Sequence, residues 1–130
     1  MALDKENRSR DYLYGRLLAV AENTESYALY LVGEKRATTA ERYMQRFAEH
    51  PFATWRNIEL ALKPYQDRLR NNGKDTGAQA IGEIMDLFEN QDFSSDDKLS
   101  GEFLLGYHCQ KMDIARRIAE ISANKSKTDE

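Results

Sequence analysis

The sequence predicts an all-α fold, one compact bundle of about five helices, on three observations. Apolar residues recur at spacings of three and four through most of the chain, the period that stacks side chains on one face of an α-helix. Only 2 prolines and 7 glycines interrupt the 130 residues, too few for a turn-rich β fold. No alternating apolar run is long enough for a strand, and no stretch repeats another. A single domain is expected over 1–130, with 1–8 and 123–130 as loose polar tails.

The first helix, expected near 9–33, contains Tyr12-Leu13-Tyr14-Gly15-Arg16-Leu17-Leu18-Ala19-Val20-Ala21-Glu22. Leu13, Leu17, Val20, Thr24, Tyr27 and Leu31 form its apolar row. Ser9 suits its N-cap, and Gly33 the position just past its end. Gly15 costs about 1 kcal/mol relative to Ala inside a helix, which close approach of another helix or a partner would offset. Gly106 repeats the arrangement in Phe103-Leu104-Leu105-Gly106-Tyr107-His108, so these two helices are expected at the centre.

Thr38-Thr39-Ala40-Glu41 reads as a capping box that opens a second helix over 39–49, burying Ala40, Tyr43, Met44 and Phe47. His50-Pro51 ends it, because the residue before proline is pushed from helical dihedrals. A third helix over 52–71 carries the row Phe52, Trp55, Ile58, Leu62, Tyr65 and Leu69, with a kink or break expected near 61–64 because Pro64 removes a backbone donor. A fourth, over 76–90, turns Ile81, Ile84, Met85 and Phe88 inward and is weakened by Gly77 and Gly82. After a loop over 90–95 anchored by Phe93, a fifth helix over 95–122 is expected to begin at Ser94 or Ser95. Asp96 and Asp97 would lie in its first turn, where the macrodipole favours negative charge. Leu99, Phe103, Tyr107, Ile114, Ile118 and Ile121 are its expected buried side.

Composition narrows the function. No apolar run approaches the roughly 18–20 residues of a membrane span, and the charged start Asp4-Lys5-Glu6 is unlike a signal peptide, so a cytoplasmic location is expected. The one cysteine, Cys109, excludes an internal disulfide and a multi-cysteine zinc site. His108 beside it diverges by about 100° on a helix, so the two cannot form a nucleophile–base pair. The other histidine, His50, has no ligand partner at metal-site spacing, and no glycine loop suits a phosphate. Glu83, Asp86, Glu89, Asp92, Asp96 and Asp97 lack the alternation of a calcium loop and read as a solvated or partner-facing surface. Tyr43, Phe47, Phe52 and Trp55 read as core rather than a base-stacking platform. No catalytic residue, metal, cofactor or small-molecule substrate is therefore expected.

The surviving functional signal is charge. From Lys35 to Lys74 nine Lys/Arg face four Asp/Glu, whereas from Ile81 to Leu105 one Lys faces seven Asp/Glu, within a net charge of −3. Lys35, Arg36, Arg42, Arg46, Arg56, Lys63, Arg68, Arg70 and Lys74 are the candidate nucleic-acid-binding residues. Such a set suits phosphate contacts, which supply affinity but no sequence information. The plainer reading is a solvated helix surface.

Five stretches in order resemble the C-terminal helical region of the large subunit of type I-C CRISPR Cascade complexes. They are Tyr12–Glu22, Ala37–Met44, Pro51–Leu69, Ile81-Gly82-Glu83-Ile84-Met85, and Phe103-Leu104-Leu105-Gly106-Tyr107-His108-Cys109-Gln110. A chain beginning just before this region looks like the separate small subunit, made in these systems from an internal translation start. The resemblance implies a non-catalytic helical bundle in more than one copy, contacting the large and backbone subunits. It would stabilise target DNA and the displaced R-loop strand, with guide RNA nearby, while a recruited helicase-nuclease cleaves. The resemblance carries over no residue-level DNA contact, so the basic set rests on charge and spacing. The alternative is a helical adaptor whose basic face docks on an acidic subunit.

Overall fold

Tyr12–Glu22 is apolar at nearly every position rather than along one stripe, and a helix apolar all round is stable only inside a protein. The computed structural model, which describes residues 2–74, 76–89 and 92–128 and the side chains as far as Asn124, encloses that helix. Among the described residues there are six α-helices, one 3-10 turn at Asp92–Ser94 and no strand. The helices are α1 (Arg10–Leu31), α2 (Thr39–Arg42), α3 (Met44–Glu49), α4 (Pro51–Asn71), α5 (Thr76–Met85) and α6 (Glu102–Thr128). Every residue of α1 from Tyr12 to Glu22 is buried. α6 packs most extensively on it, and α4, α5 and α2 cover the rest. The expected apolar row holds through Thr24, but Tyr27 and Leu31 in the last turns are 37% and 40% exposed. Enclosure of this helix is confined largely to its first half.

The two glycines meet as expected. A Cβ on Gly15 would overlap the Phe103 carbonyl oxygen and lie 2.7 Å from the Tyr107 nitrogen; one on Gly106 would overlap the Tyr12 carbonyl oxygen. Each helix thus lays its backbone against the bare glycine of the other. Gly77 is a third such place, its missing Cβ leaving room for the Thr24 side chain. This close seat offsets the helix cost that Gly77 carries in α5. Around the axis, Tyr14 packs against Phe47, Phe88 and Phe93 at centroid distances of 5.6, 5.0 and 5.8 Å. Its hydroxyl donates to the Phe93 carbonyl, which fixes Phe93 as the expected anchor. Burial pushes the Tyr14 phenol well above its ordinary range. Phe47 and Trp55 are fully buried, in keeping with core roles.

The helix ends show where local signals held and where packing overrode them. Gly33, at φ 73°, closes α1: its N–H donates to Tyr30 and that of Glu34 to Leu29, the double bond of a glycine-terminated helix. The Thr38 hydroxyl accepts from the Glu41 N–H at 3.2 Å, the forward half of the capping box. Ser9, by contrast, makes no cap; its hydroxyl donates to Glu102 at 3.1 Å. Ahead of α1, the Asp4 N–H donates to the Tyr12 hydroxyl at 2.9 Å and the Asn7 amide to Glu102 at 3.2 Å. The single helix expected over 39–49 is two, because Tyr43, at φ −107° and ψ 10°, leaves the helical region.

Of the kink or break expected near 61–64, the break does not occur. α4 runs unbroken through Pro64, since the Leu60 carbonyl that loses its donor belongs, like the proline, to an exposed residue that water can reach. α5 stops at Met85 rather than continuing to 90, and the chain turns so that Phe88 can reach Tyr14. Residues 90 and 91 of the expected loop lie outside the described residues.

The helix expected from Ser94 or Ser95 begins instead at Glu102, so Asp96 and Asp97 are not in its first turn. Residues before it are strapped elsewhere: the Leu99 N–H donates to Ala48 at 2.7 Å and the Ser100 N–H to Asp11 at 2.8 Å. At its other end α6 continues to Thr128, past the expected limit of 122. Leu99, Phe103 and Tyr107 are buried, but Ile118 and Ile121 are 55% and 61% exposed, lining an open groove with Asn23 and Tyr27 of α1.

Candidate nucleic-acid interface

The heptad spacing of Arg56, Lys63 and Arg70 follows the outer side of α4, and all three are exposed. The Arg56 guanidinium sits 5.8 Å from the Phe52 ring centroid, and among the described residues Arg70 pairs only with exposed Asp67 at 3.5 Å. An exposed pair of that kind is worth about 0–1 kcal/mol and is easily given up. Lys35, Arg46 and Lys63 are exposed and make no side-chain hydrogen bond or ion pair among the described residues. Leu60 lies within the α4 row and is 69% exposed.

The remaining four candidates are held by neighbours. Arg36 and Arg68 bracket Tyr65, their guanidinium carbons 5.5 and 5.6 Å from its ring centroid. Arg36 also donates to the Tyr65 hydroxyl, and Arg68 to the Ala28 carbonyl at 3.5 Å near the end of α1. Arg42 donates to the Thr39 hydroxyl at 3.3 Å, and Lys74 lies 5.9 Å from the Tyr27 ring centroid. Buried Glu25 anchors this end. It accepts from the Thr39 N–H and, at 2.7 Å, from the Thr39 hydroxyl, with Arg36 at 4.0 Å. The nine candidates therefore divide into an outer set of Lys35, Arg46, Arg56, Lys63 and Arg70, and an inner set of Arg36, Arg42, Arg68 and Lys74 fixed against tyrosines and Glu25. Free guanidinium and ammonium groups on one helix side can meet phosphate oxygens, and Arg offers two parallel donors to each.

The acidic residues do other things. Among the described residues, no group of three or more His, Cys, Asp or Glu comes together to hold a metal ion. Asp96 serves as an N-cap supplied from a distant segment: it accepts from the Ala53 N–H in the first turn of α4 and contacts His50 Nδ1, both at 3.1 Å. The Ala53 N–H, with a smaller contribution from His50, holds the Asp96 carboxyl below its ordinary range. Asp96→Ala should cost roughly 1 kcal/mol at pH 7, as cap losses do. A carboxylate with a depressed folded-state pKa stabilises above its unfolded value of about 3.9. The gap between wild type and variant should thus close as pH falls from 5 to below 3 in urea titrations; a gap that stays constant over that range would exclude the cap.

His108 is exposed and Cys109 buried, so the neighbours point apart as helix geometry requires. Besides Glu25 with Thr39, sequence reasoning missed two further buried polar pairings on α1. Tyr107 donates to Glu22, which Lys111 also approaches at 3.5 Å. Burial, reinforced by the Glu22 carboxylate, raises the Tyr107 phenol above its ordinary range. Arg16 Nε donates to Gln110 at 2.8 Å. The available signal was Arg16 and Glu22 standing inside a helix apolar on all sides, where a charge needs a partner.

No helix of the described residues is long and apolar enough to cross a membrane. Residues 1–115 match the family model for CRISPR-associated protein (Cas_Csd1). No curated protein matches the chain.

Proposed function

The chain belongs to the Cas_Csd1 family of CRISPR-associated proteins, the type I-C Cascade-associated subunits, and on that premise we propose that it is a non-catalytic small subunit that steadies target DNA and the displaced R-loop strand. Its partners are the large and backbone subunits, a second copy of itself, and the guide RNA–DNA assembly in the cytoplasm. Guide pairing reads the sequence; this chain supplies charge along the sugar-phosphate backbone. The observation that carries the reading is the outer side of α4, where Arg56, Lys63 and Arg70 are exposed with at most a weak surface pairing. The net charge of −3 makes free DNA a poor ligand, so the face becomes useful once assembly positions it.

The test is target-DNA binding by the assembled complex carrying Arg46→Glu, Arg56→Glu, Lys63→Glu and Arg70→Glu, across a salt series. These side chains make little contact with the core, so the bundle and its incorporation should persist. Affinity should fall at least about tenfold, and the slope of log K against log salt should flatten by about 0.7–0.9 for each phosphate no longer neutralised. Unchanged affinity and slope would remove this face from DNA binding.

Leu60 favours a second reading. An apolar side chain 69% exposed within a basic row suits a protein surface, as in an adaptor docking on an acidic subunit. That reading predicts loss of incorporation itself in the same four-fold variant.

A further inference from the structure

On the side of α1 facing α5 and α6, a cavity of about 290 Å³ is lined by Lys5, Arg16, Gln110 and Arg117, with Glu83 and Ile84 among its other residues. Arg16 is 8% exposed, and its Nη1 has no hydrogen-bond partner among the described residues. Its Nε is satisfied by Gln110 at 2.8 Å, so the guanidinium is fixed with one donor idle. Leaving such a donor unpaired in a protein interior is costly. The local carboxylates do not meet the need. Asp113, itself buried, pairs with Arg116 at 2.9 Å and Arg117 at 3.0 Å and makes no hydrogen bond to Arg16, although its charge acts on Arg16 and its Oδ2 has no hydrogen-bond partner among the described residues.

We propose that this cavity receives one carboxylate side chain from a protein partner, with Arg16 Nη1 as the buried donor and Lys5 and Arg117 as the exposed cations that guide it in. Lys5, Arg16 and Arg117 line the cavity with Glu83, and even with Arg117 shared with Asp113 the balance stays positive, which suits an oxyanion. A single carboxylate is favoured over a nucleic-acid strand by what surrounds the cavity. Glu83 borders it, and the stretch Ile81–Leu105 carries seven acids against one Lys. A strand would meet that repulsion at each phosphate, whereas one side chain meets it once. Ile84 offers an apolar wall for the methylene stem, and Arg presents the fork that fits a carboxylate. Burial pushes the Arg16 guanidinium below its ordinary range, which an entering anion would reverse.

The partner's identity as another Cascade subunit rests on the function proposed above, but the cavity can be tested without it. The isolated full chain is titrated with acetate and, separately, with dimethyl phosphate, while the Arg16 Nε–H resonance is followed by NMR. A saturable acetate-dependent shift is expected, weakened at least about tenfold by Lys5→Ala with Arg117→Ala, changes at exposed residues that leave Arg16 in place and leave Asp113 its pair with Arg116. No shift at Arg16, or dimethyl phosphate binding about tenfold tighter than acetate, would overturn the proposal. In the assembled complex the same double variant should lower incorporation of this chain about tenfold without altering DNA affinity per incorporated copy. Loss of DNA affinity with full incorporation would instead assign the cavity to a phosphate. The charge-reversed α4 face gives the opposite pattern, so failure of one idea does not imitate failure of the other.

Discussion

Gly15→Ala should lower the melting temperature by about 10 °C or more, and together with Gly106→Ala it should abolish cooperative folding. The new methyl at position 15 meets backbone, not a flexible side chain: the Phe103 carbonyl group and the Tyr107 nitrogen. A rotamer change cannot make room, so α6 must move away from α1 along the most extensive helix pairing in the bundle. Overpacking of a core costs about 1–3 kcal/mol when side chains can adjust and more when they cannot. For a domain of this size each kcal/mol corresponds to roughly 3–5 °C, and total stabilities of about 5–15 kcal/mol leave little to absorb two such changes. Gly82→Ala is the control. Nothing lies within 4 Å of the Cβ it would add, so it should stabilise α5 by up to about 1 kcal/mol. Thermal unfolding followed by circular dichroism separates them; a Gly15→Ala protein melting within about 2–3 °C of wild type would mean the two helices are not seated backbone to backbone.

Glu25→Ala is the second large effect expected, at about 3 kcal/mol. The carboxylate is 1% exposed and accepts both the N–H and the hydroxyl of Thr39 at the start of α2. Hydrogen bonds to a charged group contribute about 1.5–3 kcal/mol each, and removing the acceptor leaves a buried backbone donor unpaired. The consequence reaches the basic surface, because Thr39 also accepts from Arg42 and Glu25 lies 4.0 Å from Arg36. In urea denaturation Glu25→Gln, which keeps one acceptor oxygen, should recover part of the loss. Equal stability of Glu25→Ala and wild type would show that α2 is held by apolar contacts alone.

Much of the fold was legible in local chemistry. The helical period, the glycine that closes α1, the Thr38 cap and the Gly15–Gly106 correspondence each depend on residues within one or two turns, or on a cost that demands a close neighbour. The basic outer row of α4 was equally legible, since a heptad spacing on a helix fixes a common side whatever it packs against. What misled was the same local reasoning applied where a distant partner competes. Asp96 has the right chemistry for a first turn, yet it caps α4 rather than its own helix, because Ala53 offers it a backbone donor from across the bundle. Arg36 and Arg68 looked as available as Lys63, and only the approach of Tyr65 and the Ala28 carbonyl separates them. The sequence by itself determined helix content, the central pair and the sign of each surface, since these follow from periodicity and composition. The tertiary structure alone decided which charges are spent inside the protein and which remain for a partner, because that depends on burial and on donors brought together from remote parts of the chain.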